Sequence, residues 1–282
     1  FQPPTHVFSA SSDESIQMWQ LVADDKNNAS QYLQRLKHMK TFSGHANDVV
    51  CLLVNKYQQG STKELVTGSW DKTIRVWNMS TGQQTAKLAS PTRVQCMTWW
   101  KKGRFLVEGS GEQGNKPNYI HIRQWTRDAN TNNEHSLANR TKLEQKGKIV
   151  KTLQCHKSIV RMLVLVDENR DELISCSDDT TIMIWNLNTF QAIKHVNKSS
   201  IHLQQPCVRA ICKLNEFLLA SVGSDESIHF WKMQTEECLY SITKAHQNNV
   251  WSLLYSTTEQ VLISASWDGT VKLWRVMFNA GK

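Results

Sequence analysis

Ser69-Trp70-Asp71-Lys72-Thr73-Ile74-Arg75-Val76-Trp77 is the stretch that decides the fold, because the chain returns to it. The same frame, with Trp six positions after Asp, recurs from Asp13 to Trp19, Asp179 to Trp185, Asp225 to Trp231 and Asp268 to Trp274. A degenerate sixth copy ends at Trp125. Successive terminal tryptophans lie 58, 48, 60, 46 and 43 residues apart. Five copies with one internal spacing do not arise by chance, and a period of this size marks a repeat architecture.

Each copy reads as two paired strands. A short apolar run precedes the Asp, as in Glu64–Gly68 or Val261–Ala265, and alternation follows it, with Ile74 and Val76 set against Arg75 and Trp77. Asp and its small neighbours supply a tight turn in which a carboxylate accepts local hydrogen bonds. Upstream of three copies a His precedes a Val by four, at His45, His156 and His246, and each Val opens another apolar run. An outer strand such as Thr85–Ala89 follows the Trp, so each unit holds about four strands.

Composition narrows the class further. The chain has 282 residues, 40% of them hydrophobic and 21% charged, which excludes a disordered chain. Five prolines and twelve glycines exclude collagen-like material. No apolar run reaches the roughly 18 residues that a membrane helix needs, so no membrane insertion is expected. Seven cysteines form no Cys-x-x-Cys pair, which argues against a zinc site or a disulfide framework and for reduced, packed thiols. The opening Phe1-Gln2-Pro3-Pro4 carries no Met and no signal-like apolar segment, so Phe1 is read as a boundary with further chain before it.

These residues resemble the WD40 repeat family over nearly the whole chain, through Gly44-His45 and through Trp-Asp variants at Trp77-Asn78, Trp185-Asn186, Trp231-Lys232 and Trp274-Arg275. The resemblance implies an all-β fold, a WD40-type β-propeller of four-stranded blades occupying residues 1–282 as one domain. Six repeats are recognisable, the first and last incomplete, which leaves six or seven blades. It also implies a side-chain network in three blades: His45, Ser69, Asp71 and Trp77; His156, Ser177, Asp179 and Trp185; His246, Ser266, Asp268 and Trp274. These residues are read as structural and not catalytic, since buried polar groups must be paired. Blade three has no such His and carries Glu112 at the turn, and blade five has Gln204 where the His would stand. Both are expected to be less rigid.

No phosphate-cradling, nucleophile-elbow or metalloprotease motif appears, and the recurring carboxylates are spread one per unit. Neither an enzyme, nor a cofactor, nor a metal, nor a small-molecule substrate is expected. In the family two positions per blade line the upper face: the residue after the inner Val, and the residue before the turn Asp. Here the first set is Val50, Gln95, Arg161, Arg209 and Trp251, and the second is Ser12, Trp70, Gly111, Asp178, Ser224 and Trp267. Trp70, Trp251, Trp267, Arg161, Arg209 and Asp178 are the candidate peptide-binding set, because aromatic rings and guanidiniums dominate recognition surfaces. The alternative for the three tryptophans is packing, against the next blade or in the channel.

The paired arginines look like those with which WD40 substrate receptors of ubiquitin ligases hold phosphorylated peptides, although Asp178 can neutralise Arg161. The expected function is therefore an intracellular scaffold or adaptor, cytoplasmic or nuclear. It binds an acidic or phosphorylated peptide within a multi-protein complex. The net charge of +8 keeps an RNA-associated subunit as the competing class, but the lysines are scattered and no aromatic residues interleave with them. Two polar insertions break the period: Val22–Lys40 reads as a polar loop over Asp24–Ser30 leading into an outer strand around Tyr32–Leu36, and Thr126–Lys148, without apolar periodicity, as a solvated loop.

Overall fold

A computed structural model describes residues 6–23, 34–57, 63–114, 116–125, 147–167, 171–197 and 207–277. The loops expected at 24–33 and 126–146, and Gln204, lie outside them. The chain divides into two compact units, Phe1–Gln95 and Cys96–Lys282.

The described residues form six antiparallel sheets built from strands consecutive in sequence. In the first unit, sheet one is β1 (His6–Ala10), β2 (Ile16–Ala23) and β3 (Gln34–Phe42); sheet two is β4 (Val49–Val54), β5 (Glu64–Ser69), β6 (Thr73–Asn78) and β7 (Gln84–Ala89). Sheet three, whose first strand begins just before the division, is β8 (Val94–Trp100), β9 (Phe105–Ser110), β10 (Asn118–Gln124) and β11 (Ile149–His156). Sheet four is β12 (Val160–Asp167), β13 (Glu172–Ser177), β14 (Thr181–Asn186) and β15 (Gln191–Asn197). Sheet five is β16 (Val208–Lys213), β17 (Leu218–Gly223), β18 (Ile228–Lys232) and β19 (Cys238–Ile242). Sheet six is β20 (Val250–Ser256), β21 (Val261–Ser266) and β22 (Val271–Arg275).

Apolar residues on alternate strand positions pack sheet against sheet. In the first unit Ile16, Met18 and Phe42 meet Val49, Leu65 and Trp77. In the second, one core joins sheets three and four through Val107, Ile120, Leu173 and Trp185, and others join four to five and five to six. Val271 and Leu273, counterparts of the fully buried Ile74 and Val76, are 62% and 69% exposed.

One polar bond recurs in five sheets. The indole N–H of Trp19, Trp77, Trp185, Trp231 and Trp274 donates to the hydroxyl of Ser9, Thr67, Ser175, Ser221 and Ser264, at 2.8–3.1 Å. In the three sheets with a loop His, the imidazole joins in. His45 Nε2 meets Thr67 at 2.8 Å and Nδ1 meets Asp71 at 2.8 Å. His156 bridges Ser175 and Asp179, and His246 bridges Ser264 and Asp268. One proton assignment satisfies the whole chain: indole to hydroxyl, hydroxyl to neutral imidazole, imidazole Nδ1–H to carboxylate.

Ser69, Ser177 and Ser266 take a neighbouring role. Each hydroxyl accepts the backbone N–H of the turn Asp two residues on, and donates to a carbonyl of the preceding loop. The hydroxyl that links His to Trp stands two residues earlier, because register places it on the same face as the indole. The residue after the turn Asp is left-handed in all five copies (Glu14, Lys72, Thr180, Glu226 and Gly269, φ between 60° and 79°), and only the last is the glycine this conformation favours.

The two irregular sheets fill their gaps in other ways. In sheet five Asp225 is bonded by His229, four residues on within β18, at 2.7 Å, and the same ring reaches Ser241. In sheet three Asn118 binds the Ser110 hydroxyl and the Glu112 backbone, closing the turn that lacks Asp. Register also corrects the end of the degenerate repeat: Arg123, not Trp125, faces Leu106 as Trp77 faces Leu65. Glu108 stands where the hydroxyl residue would, and Arg123 makes two hydrogen bonds of 3.0 Å to it, with side chains only 4% and 2% exposed. Trp125 is buried edge-on against Trp99, 5.3 Å away.

Removing one member of a buried pair strands the other, so Arg123→Ala is expected to cost about 3–5 kcal/mol in urea unfolding. Glu108→Thr combined with Arg123→Trp, which rebuilds the bond found in the other five sheets, is expected to recover most of that loss. Acid supplies a second check. Burial pushes the Asp71 carboxyl up, but hydrogen bonds from Thr73, His45 and the Ala46 N–H outweigh it and hold the pKa at about 2, below the 3.8 of a free aspartate. Burial likewise lowers the His45 imidazole below 6.5, more than Asp71 raises it. Both folded values are depressed, so their stability is present above the unfolded pKa and is lost as pH falls: below pH 6.5 for His45, then from about 4 to 2 for Asp71. Urea midpoints measured at pH 7, 5 and 3 are expected to step down accordingly, and Asp71→Asn is expected to shrink the lower step without abolishing it, because hydrogen bonds hold Asp179 and Asp268 below the usual carboxylate range as well.

Candidate functional site

Four inner strands begin with the same irregularity. Val49 pairs with Ser69 but Cys51 pairs with Gly68, so Val50 is an extra, unpaired residue in a β-bulge. Identical shifts fall at Arg161, Arg209 and Trp251. A bulge turns its side chain out of the pleat, and here it aims these residues to the end of the sheet where the Asp turn lies. The residue before the turn Asp is drawn to the same place. Its N–H binds the carbonyl preceding the inner Val: Trp70 to Asp48, Asp178 to Ile159, Ser224 to Cys207 and Trp267 to Asn249, at 3.0–3.2 Å.

In the second unit this construction brings five of the candidate residues together. Arg161 grips Asp178 with both Nε, at 2.9 Å, and Nη2. Arg209, one sheet further on, reaches the same carboxylate through Nη1 at 3.2 Å. Its guanidinium lies over the Trp251 ring at 4.5 Å, and that of Arg161 lies 5.7 Å from it. Trp251 packs on Trp267 with ring centroids 5.0 Å apart, and Trp267 presents 68% of its surface to solvent. Trp70 belongs to the first unit, where its indole N–H donates to Gln95 at 3.0 Å and Arg93 lies over its ring.

Two guanidiniums therefore share one carboxylate, and the cluster keeps an excess positive charge. Burial, and then the charge of Arg161, lower the Arg209 pKa below its usual value, while Asp178 opposes them. Arg209 Nε and Trp251 Nε1 are both screened from solvent and have no acceptor. A stranded N–H of this kind costs about 1–3 kcal/mol, and outside the cluster Arg75 Nε and His121 Nε2 are in the same condition. Among the described residues no group of three or more His, Cys, Asp or Glu side chains could hold a metal ion.

A family model described as "WD domain, G-beta repeat" matches residues 36–78, 147–186 and 236–275. The three matched segments are WD40 repeats. The fold class is accordingly that of the WD40 β-propeller, and the three matched segments end one residue after Trp77, Trp185 and Trp274, in the sheets where the His joins the network. The chain is 26% identical over 276 residues to an uncharacterized WD repeat-containing protein of Schizosaccharomyces pombe, covering 86% of this chain and 71% of the relative. It is 27% identical to a ribosome biogenesis protein WDR12 homolog of Trichoplax adhaerens, covering 76% of this chain and 51% of the relative. It is 20% identical to mouse pre-mRNA-processing factor 17, covering 95% of this chain and 48% of the relative. The chain thus spans only about half the length of the last two.

Gly223 shows how tightly the site is built. Ser occupies its place in the five other repeats, at Ser11, Ser69, Ser110, Ser177 and Ser266, but a Cβ here would stand 1.8 Å from the Cys207 carbonyl, two residues before Arg209. Gly223→Ser restores the repeat pattern, yet it is expected to lower stability by about 1–3 kcal/mol through overpacking, as thermal unfolding would show.

Proposed function

We propose that this WD40 protein is a non-catalytic interaction platform, and that the second unit holds an acidic or phosphorylated peptide over Arg161, Arg209, Trp251 and Trp267. The observation that carries this reading is the cluster itself: two guanidiniums, one carboxylate, an exposed indole, and two buried N–H donors with nothing to bond. Large rigid rings beside planar donors supply area and hydrogen bonds at little entropic cost. Sequence motifs for chemistry are absent, which supports binding over catalysis. An intracellular setting within a larger assembly belongs to the same proposal, supported by the roles for which the relatives are named, ribosome biogenesis and pre-mRNA processing.

Those names also favour a second reading, an RNA-associated subunit, to which the net charge of +8 is suited. The two readings separate cleanly. An array of phosphorylated, Asp/Glu-substituted and neutral peptides is expected to bind the wild-type chain in its acidic members. The double variant Arg161→Gln/Arg209→Gln, checked for folding by its melt, is expected to lose at least tenfold in affinity. Unchanged peptide binding in that variant would overturn the proposal. Filter binding to RNA that falls steeply between two salt concentrations, with no peptide bound, would establish the second reading instead.

A further inference from the structure

The Asp178 carboxylate is the one anion that the two arginines of the cluster share, and it comes from the protein itself. It sits on the turn of sheet four, at a position taken by Trp in sheets two and six and by Ser in sheets one and five. Nothing in the repeat requires an acid there, because the backbone bond from Asp178 N–H to Ile159 does the structural work that it also does in sheets two, five and six. The Arg161 and Arg209 side chains are each 14% exposed and Asp178 is 12% exposed, so the trio lies just beneath the surface. The two stranded donors, Arg209 Nε and Trp251 Nε1, are screened from solvent. An acceptor reaches them only if a neighbouring group swings aside.

We propose that Asp178 is an internal stand-in for the ligand: its carboxylate occupies the seat of an incoming phosphoryl group, which displaces it and takes up the N–H groups of Arg209 and Trp251 as well. The inference rests on the peptide-binding reading of this face and specifies the chemistry it selects. A phosphoryl group brings three acceptor oxygens and close to two negative charges, against two oxygens and one charge for a carboxylate. With Asp178 already bonded to both guanidiniums, a carboxylate merely repeats what the protein supplies. The phosphoryl group adds acceptors for the two unused donors and exploits the remaining positive charge. Trp267, exposed beside Trp251, then offers a ring against which the residue carrying the phosphate can pack.

The probes are phenyl phosphate and benzoate, which share an apolar body and differ in the anion. The readout is the indole N–H resonance of Trp251, assigned by its loss in Trp251→Phe. Phenyl phosphate is expected to move this resonance saturably, and benzoate is expected to bind at least about tenfold more weakly, equivalent to ~1.4 kcal/mol. Asp178→Asn, which keeps the shape and removes the competing charge, is expected to tighten phenyl phosphate about tenfold. Arg209→Gln is expected to abolish the shift.

No movement of the Trp251 resonance in the wild-type chain, equal affinity for the two anions, or a weaker phenyl phosphate complex in Asp178→Asn would each overturn the proposal. The last result would show Asp178 to be a brace for the arginines and not a stand-in. If Asp178→Asn fails to fold, the wild-type titrations with the two anions still decide. Positive peptide arrays with a silent Trp251 resonance would leave the platform reading in place and remove only this one.

Discussion

Everything in this molecule leans on a small polar bond in an apolar place. An indole is wide enough to cover the contact between two sheets, and its burial removes roughly 200 Å² from water, but its N–H must be bonded or the gain is partly forfeited. A serine or threonine hydroxyl on the adjacent strand solves the problem, and in three sheets it passes the bond on to an imidazole and an aspartate. The chain of donors then runs from the middle of the sheet to its turn. Strand register, turn geometry and packing are thereby tied to one set of atoms. Sheet three shows that the requirement is electrostatic and not specific to tryptophan: Arg123 and Glu108 meet it with a buried ion pair at the same register.

The same turns place the candidate recognition residues. The aspartate anchors the turn, the residue before it is tethered to the loop ahead of the inner strand, and the bulge at the start of that strand turns one side chain outward. Rigidity of the repeat is therefore what allows Arg161 and Arg209, 48 positions apart in the chain, to converge on one carboxylate. The anion site proposed for this cluster has its donors ordered before any ligand arrives, which lowers the cost of binding.

The repeat, the strand alternation and the turns were legible in the residues because they depend on local rules: period two, a turn residue, a fixed spacing. The hydroxyl partner was also written there, ten residues before each Trp, at Ser9, Thr67, Ser175, Ser221 and Ser264. It passes unnoticed because serine and threonine are common and their pairing depends on strand register. His229 and the Arg123–Glu108 pair carried no such signal. A charged or aromatic residue in mid-strand reads as surface until the opposite strand is known.

By itself, then, the sequence determined the WD40 class, the number of recognisable repeats and which side chains stand beside each turn, since all of these follow from spacing along the chain. Only the tertiary structure decided that Arg123 takes the place of the indole in sheet three. It alone put Arg161, Arg209, Asp178, Trp251 and Trp267 in one cluster, held Trp70 to Gln95 and Arg93, and left two donors without acceptors. Those outcomes depend on which sheets are neighbours and on hydrogen bonds measured in ångströms, and linear spacing carries neither.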